Sequence, residues 1–324
     1  MKSTTSESID ASMLLKPKAL RPGVTIAIIS PAGATPLIAP QDQPDAFEQG
    51  AALLESAGFR VKIMPHAKQK RMYLAGTDAE RLADLQAAFA DPEVDGILCA
   101  RGGYGCMRLL ADIDFNLIRQ NPKVFIGFSD ITSLLLPFYK RCGLVGFYGP
   151  MLTSNLIHGE PFSQAELLKL VSQPTEIPYT VPNRDTYHSF RPGIAEGRLT
   201  GGNLSLLTAL CGTPFQPITA GHILFIEDWK EKYYSLDRQF QQLRLAGLFD
   251  DIQGLILCDF SEIEPEPEQS LPEFLKSLTD FLQVPVGYGF SVGHGEQTAT
   301  FPIGCRARFN AETGALSLLE SPVL

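Results

Sequence analysis

No stretch of this chain is both long and apolar. Its hydrophobic runs are strand-length, and none approaches the ~20 residues that a membrane span needs. Before Leu20 the only apolar run is Met13-Leu14-Leu15, too short for the core of a signal peptide. Charge is sparse, at 19% of residues, and leans negative, with 36 acids against 27 bases and a net charge of −9. No basic stripe is present, which argues against a nucleic-acid partner. The six cysteines (Cys99, Cys106, Cys142, Cys211, Cys258, Cys305) show no C-x-x-C pair. Several sit in apolar strand-like runs, so they read as reduced core residues of a cytoplasmic protein. A G-x-G-x-x-G fingerprint is missing, which disfavours a dinucleotide-binding oxidoreductase. Internal repeats and metal-ligand spacings are missing too, so neither a metal nor another cofactor is expected.

What is there describes an ordinary globular protein of 324 residues, 44% of them hydrophobic, enough for about two domains. Val24–Ile29 reads as a strand buried on both faces, closed by Ser30-Pro31-Ala32-Gly33. Phe47–Ala57 has helical character and stops at Gly58. Phe59–Met64 alternates as a strand. Thr77-Asp78-Ala79-Glu80 is a capping box that opens a helix through Phe89. Gly96–Ala100 is a further strand, followed by Arg101-Gly102-Gly103-Tyr104-Gly105 and then a helix. A strand to Phe128, a helix over 130–142 and a strand at Leu144–Tyr148 complete the alternation. Strands alternating with helices imply a parallel sheet, whose ligands bind beyond the carboxyl ends of the strands. The expected fold is α/β: an N-terminal parallel-sheet domain over 20–172, a proline-rich linker over 173–192, and a second domain over 193–324 that is more mixed and more antiparallel. Residues 1 to about 20 read as a loose polar tail.

In the second half Asn203 caps a helix through Leu210, and Ile223–Asp228 is a strand that ends in two acids. Ser235–Ala246 is amphipathic, Gly254–Phe260 is a strand, and Glu273–Leu282 is a helix before a strand near Val286. Glu262, Glu264, Glu266 and Glu268 read as a solvated loop rather than a cation site. Residues 298–319 alternate as a β-hairpin turned at Glu312-Thr313-Gly314.

The chemistry centres on Gly127-Phe128-Ser129-Asp130. An apolar strand ends in glycine, and a serine then stands where a helix begins. This resembles the nucleophile elbow of serine hydrolases, except that Ile131 replaces the second glycine of G-x-S-x-G. Taken alone, the stretch favours a plain helix cap. A nucleophilic serine needs a base, and the base needs an orienting acid. Among five histidines, His294 differs because glycines flank it in a loop that follows a strand; a surface-loop histidine is the competing reading. Glu227 emerges at the rim of a core, with Asp228 as the rival acid and a structural ion pair as the alternative. Oxyanion donors are available in the Asp130 N–H and the Gly102-Gly103 backbone, which otherwise makes only a tight turn. Arg101 suits a substrate carboxylate or holds its own loop together. Trp229, the one tryptophan, either packs or offers an aromatic face.

Seven short motifs occur in the order found in the LD-carboxypeptidases, and the chain resembles that family from about residue 20 onward. They are Ser30-Pro31-Ala32-Gly33, Arg101-Gly102-Gly103-Tyr104-Gly105, Gly127-Phe128-Ser129-Asp130, Tyr148-Gly149-Pro150-Met151, Gly201-Gly202-Asn203-Leu204, Ile226-Glu227-Asp228 and Gly293-His294-Gly295. The resemblance implies a serine peptidase with the triad Ser129, Glu227, His294 and an oxyanion hole from Asp130 and a glycine of the Gly102-Gly103 pair. It implies an N-terminal parallel α/β domain of flavodoxin- or amidotransferase-like type joined to a smaller, β-rich C-terminal domain, with the site at their interface. Arg101, Tyr104, Asn203 and Trp229 are the residues expected to touch substrate. By the resemblance, that substrate would be a murein tetrapeptide that loses its terminal D-alanine in peptidoglycan recycling, and the enzyme would be a cytoplasmic homodimer. A relative, the microcin C immunity peptidase, supplies the alternative of a peptidyl- or aminoacyl-nucleotide substrate. A non-catalytic binding protein on the same scaffold is a third, remote possibility.

Overall fold

Five short parallel strands lay down the first sheet. The computed structural model describes residues 14–36, 44–158, 160–172 and 187–324, together with the backbone of 179–181. The strands are β1 (Thr25–Ile29), β2 (Arg60–Ile63), β3 (Val94–Cys99), β4 (Val124–Gly127) and β5 (Gly146–Tyr148), in the spatial order β5-β4-β3-β1-β2. β1, β3, β4 and β5 are buried on both faces between flanking helices. The helices are α1 (Ala46–Ser56), α2 (Asp78–Ala90), α3 (Phe115–Gln120), α4 (Thr132–Cys142) and α5 (Pro161–Ser172). Local chemistry starts α1 and α2 within a residue of where they are expected. Thr77 and Glu80 form a reciprocal capping box on α2, and Asp45 and Glu48 form another on α1. The single helix expected after Gly105 divides into a 3-10 turn, Cys106–Leu109, and α3, which Asp114 caps.

The second sheet holds eight strands in the order β6-β14-β13-β8-β9-β10-β11-β7. Its members are β6 (Tyr179–Val181), β7 (His188–Arg191), β8 (Ile194–Asn203), β9 (His222–Trp229), β10 (Gly254–Ser261) and β11 (Val286–Tyr288). β12 (Phe301–Ile303) departs to the first sheet, while β13 (Arg306–Asn310) and β14 (Ala315–Leu318) return. β8 through β11 run parallel, and the outer pairs are antiparallel. Helices α6 (Leu204–Leu210), α7 (Tyr233–Leu245) and α8 (Leu271–Thr279) accompany it.

Three stretches differ from expectation. His188–Arg191, read as linker, is strand β7 and pairs with β11; most of the remaining linker lies outside the described residues. Phe301–Ile303, read as part of a hairpin, pairs antiparallel with β5 at the edge of the first sheet, and only β13 and β14 make the hairpin. Residues 14–20 are docked rather than loose. Leu15 exchanges backbone hydrogen bonds with Gly143 and Val145, and Leu20 is fully buried. One fully buried leucine contributes roughly 1.5–3 kcal/mol, so Leu20 holds the segment against its lost entropy only together with the partly buried Leu14 and Leu15 and the backbone bonds. Residues 1–13 lie outside the described residues.

Candidate active site

Ser129 stands at the corner between β4 and α4 with φ +61°, left-handed backbone that a non-glycine residue adopts at a cost. Gly127 makes the corner possible: a Cβ there would sit 2.9 Å from the Ile131 side chain. That contact also explains how isoleucine occupies the place of the elbow's second glycine. The first bond of the turn runs from Ile131 N–H to the Phe128 carbonyl, at 3.2 Å. The Asp130 N–H therefore precedes the intrahelical ladder and has no acceptor within the turn.

The glycine loop after β3 is held against this corner from several sides. Gly33 N–H donates to the Gly102 carbonyl at 3.1 Å, and Cys106 N–H donates to Asp130 Oδ2 at 2.8 Å. Buried Arg81 donates to the Gly105 and Pro31 carbonyls. Burial raises the Asp130 carboxyl above its ordinary value, and the Cys106 N–H offsets part of that. A Cβ on Gly102 would lie 2.9 Å from Ser129 Cβ and 3.0 Å from its Oγ, so only glycine fits beside the hydroxyl.

The second sheet supplies the other half. Glu227, near the end of β9, is fully buried, and its Oε2 lies 2.7 Å from His294 Nδ1. His294 Nε2 lies 3.1 Å from Ser129 Oγ. A carboxylate only accepts, so the imidazole carries its proton on Nδ1 and leaves Nε2 to accept from the serine. Burial lowers the affinity of His294 for a second proton; the Glu227 carboxylate, with Asp228 and Asp259 behind it, outweighs that, and its pKa ends above the ordinary imidazole value. Gly293, at φ +124°, carries the chain past Glu227, where a Cβ would collide with the carboxylate. The ring of His294 is held between Trp229, stacked at 5.3 Å and 4°, and Phe128, edge-on at 4.8 Å.

Glu227 Oε1 accepts from Tyr148 Oη at 2.7 Å and from Asn203 Nδ2 at 3.0 Å. The same Asn203 amide donates to Asp228 Oδ1 at 2.9 Å, and Ser205 donates its N–H and hydroxyl to Asp228 Oδ2. Burial and the adjoining Glu227 charge push the Asp228 carboxyl up to about 6.

A cleft of about 550 Å³ opens onto Ser129 and His294, walled by Arg101, Gly102, Gly103 and Trp229. Thr35, Thr153, Ser154 and His158 also line it. Arg101 both faces the cleft and donates to the Ala34 carbonyl at 3.1 Å. Two residues expected to touch substrate lie elsewhere. Asn203 is buried beneath the cleft, because the β8–β9 register sets it opposite Glu227. Tyr104 is half-exposed outside the lining and packs edge-on against Tyr73 at 5.7 Å. Tyr148 also belongs to the site. Its signals in the sequence are its place at the end of the strand beside β4 and its motif, Tyr148-Gly149-Pro150-Met151. Among the described residues no group of three or more His, Cys, Asp or Glu is arranged to hold a metal ion.

The chain matches the LD-carboxypeptidase N-terminal domain over residues 26–149 and the LD-carboxypeptidase C-terminal domain over 196–309. It is 42% identical over 306 residues to a probable murein peptide carboxypeptidase of Bacillus subtilis, covering 92% of each chain. The solved muramoyltetrapeptide carboxypeptidase of Oxalobacter formigenes superposes with TM-score 0.79 at 31% identity, covering 91% of this chain and 98% of that one. The microcin C7 self-immunity protein, solved in complex with glutamyl sulfamoyl guanosine, superposes with TM-score 0.87 at 26% identity, covering 96% and 100%.

Proposed function

The chain belongs to the LD-carboxypeptidase family, and from that premise we propose that it is a serine carboxypeptidase releasing the terminal D-alanine of a murein tetrapeptide. The scissile bond joins the L-centre of the third residue to D-alanine. One observation carries the reading: an unbroken run of hydrogen-bond contacts from Ser129 Oγ through His294 to a fully buried Glu227, opening on a cleft.

In this reading His294 Nε2 takes the Ser129 proton as Oγ attacks the carbonyl carbon. Glu227 holds the imidazole in the required tautomer and stabilises its cation. The oxyanion forms at the helix start, facing the Asp130 N–H and an N–H of the Gly102-Gly103 pair. His294 returns the proton to the departing D-alanine amine. Water then attacks the acyl-enzyme with His294 again as base, restoring Ser129. Arg101 is the cation at hand for the D-alanine carboxylate. The reading extends to recycling in the cytoplasm, supported by six free thiols, five of them buried. No helix among the described residues is long and apolar enough to cross a membrane. The reading includes a homodimer, which the family resemblance supports.

A second reading, hydrolysis of a peptidyl or aminoacyl nucleotide, draws on Trp229, whose ring lines the cleft and remains 39% exposed. Incubation with murein tetrapeptide, followed by mass spectrometry, is expected to give free D-alanine. Ser129→Ala is expected to reduce the rate by about 10⁴-fold or more. No release at high enzyme overturns the carboxypeptidase reading; turnover of an aminoacyl sulfamoyl nucleotide instead would establish the second.

A further inference from the structure

The nucleophile and the acid are also joined from behind, through one phenol. Tyr148 ends β5 with its side chain fully buried, edge-on to Phe128 at 6.1 Å and to Phe225 at 5.3 Å. Ser129 N–H donates to its Oη at 3.2 Å, and the same Oη lies 2.7 Å from Glu227 Oε1. Thr132 bonds to this oxygen as well. The Glu227 carboxylate only accepts, so the phenol proton goes to Oε1, and the Thr132 hydroxyl, which accepts from Asn203 N–H at 3.1 Å, donates to Oη. An amide can only donate, and the Oη thus receives both Ser129 and Thr132. Gly202 lets the cluster close, since a Cβ there would lie 2.7 Å from Thr132 and 2.9 Å from the Tyr148 ring.

We propose that Tyr148 is a positioning residue that sets the Ser129 backbone and the Glu227 carboxylate in one frame through its hydroxyl. The bonds form a closed circuit: Ser129 N–H to Tyr148, Tyr148 to Glu227, His294 to Glu227, and Ser129 Oγ to His294. Two demands meet in it. Ser129 holds left-handed backbone at the start of a turn, where its N–H lacks a helical acceptor, and Tyr148 supplies one. Glu227 must present Oε2 alone to His294, and Tyr148 with Asn203 occupies Oε1 so that the carboxylate cannot rotate. By taking up part of the Glu227 charge, the phenol also sets how strongly that carboxylate favours the imidazolium. The charged groups facing His294 are Glu227 and Asp228 from β9 and Asp259 from β10. Loss of the hydroxyl leaves more of the Glu227 charge to the imidazole, so the neutral base appears at higher pH.

The inference rests on the triad reading of Ser129, and the test separates the two. The rate at which a fluorophosphonate labels Ser129 is followed against pH, independently of any peptide, alongside D-alanine release. In Tyr148→Phe, verified as folded by its near-ultraviolet circular dichroism, both rates are expected to fall about 10- to 100-fold, as for the loss of a hydrogen bond to a charged group. KM is expected to stay near the original, and the acid limb of the rate profile to move to higher pH. The same upward move is expected in an Asp228→Asn background, which removes the other acid that titrates nearby. Replacing Tyr148 with 3-fluorotyrosine keeps the bond with a stronger donor and is expected to move the limb to lower pH. A folded Tyr148→Phe with unchanged rate and profile overturns the inference. Should that variant fail to fold, an unmoved limb in the fluorotyrosine protein overturns it. Absence of Ser129 labelling in the unaltered protein instead overturns the triad reading, and this inference with it.

Discussion

The two strands that end at the site prepare it by opposite means. β4 ends in backbone: a serine at φ +61°, room made by Gly127, and a second glycine, Gly102, against the hydroxyl. β9 ends in charge: Glu227 and Asp228, both buried and both satisfied by side chains from β5, β8 and α6. Strained backbone is kept by what surrounds it, and here Gly33, Cys106 and Arg81 supply that from three directions. Buried carboxylates persist for another reason, which is that every oxygen they present meets at least one donor. One half is therefore broken by adding atoms, and the other by moving protons.

The largest effect is expected on the charged side. In Glu227→Gln the amide oxygen should stay with Tyr148 and Asn203, which only donate to it, so the amide N–H turns toward His294. That forces the proton onto Nε2, where the imidazole can no longer accept from Ser129. Activity is expected to fall about 10⁴-fold with substrate binding retained; a loss under 10-fold would remove Glu227 from its role. On the backbone side Gly102→Ala places a Cβ 2.9 Å from Ser129 Cβ. A loss of about 10²- to 10³-fold in kcat is expected, comparable to loss of one oxyanion donor. Its pH profile should stay unchanged, because no titrating group has moved. A shifted profile in Gly102→Ala would erase the contrast between the two halves.

The contrast also governs what was legible in the sequence. The parallel sheet, the capping boxes at Thr77 and the glycine stops follow from local pattern, and the fold class could be read from them. Ser129, Gly102, Glu227 and His294 stood out because each sits in a short motif at a strand end. Tyr148 sits in such a motif too, but its role was not legible, because its partners are set by the β4–β5 pairing and by the second sheet, far away in sequence. Asn203 shows both cases in one residue. Its Oδ1 caps α6 at the Leu206 N–H, as local pattern predicts, while its Nδ2 bridges Glu227 and Asp228 through the β8–β9 register. Short edge strands such as Phe301–Ile303 escape for the same reason, since three alternating residues do not say which sheet they join.

The smallest effect expected is on stability, at Asp228. Its carboxyl is pushed from 3.8 up to about 6 by burial and by Glu227, so the folded chain binds this proton more tightly than the unfolded chain. The resulting stabilisation is fully present below pH ~4 and is lost as pH rises through about 6. Two pKa units bound the loss at ~3 kcal/mol. Groups shifted the other way, such as Asp78 at about 2, act at lower pH, and the raised His294 acts at higher pH. Asp130, raised by burial, and His222, lowered by it, also titrate between pH 4.5 and 6.5, so the group is isolated by comparing denaturant midpoints at these two pH values in the unaltered protein and in Asp228→Asn. The unaltered protein should be less stable at 6.5 by ~1–3 kcal/mol on this account, and Asp228→Asn, neutral throughout, should lose most of that difference. Equal slopes in the two proteins would show that Asp228 is ionised across the whole window. Its charge would then be held by Asn203, Ser205 and the Trp229 N–H, and the charged half of the site would resist pH as well as the backbone half does.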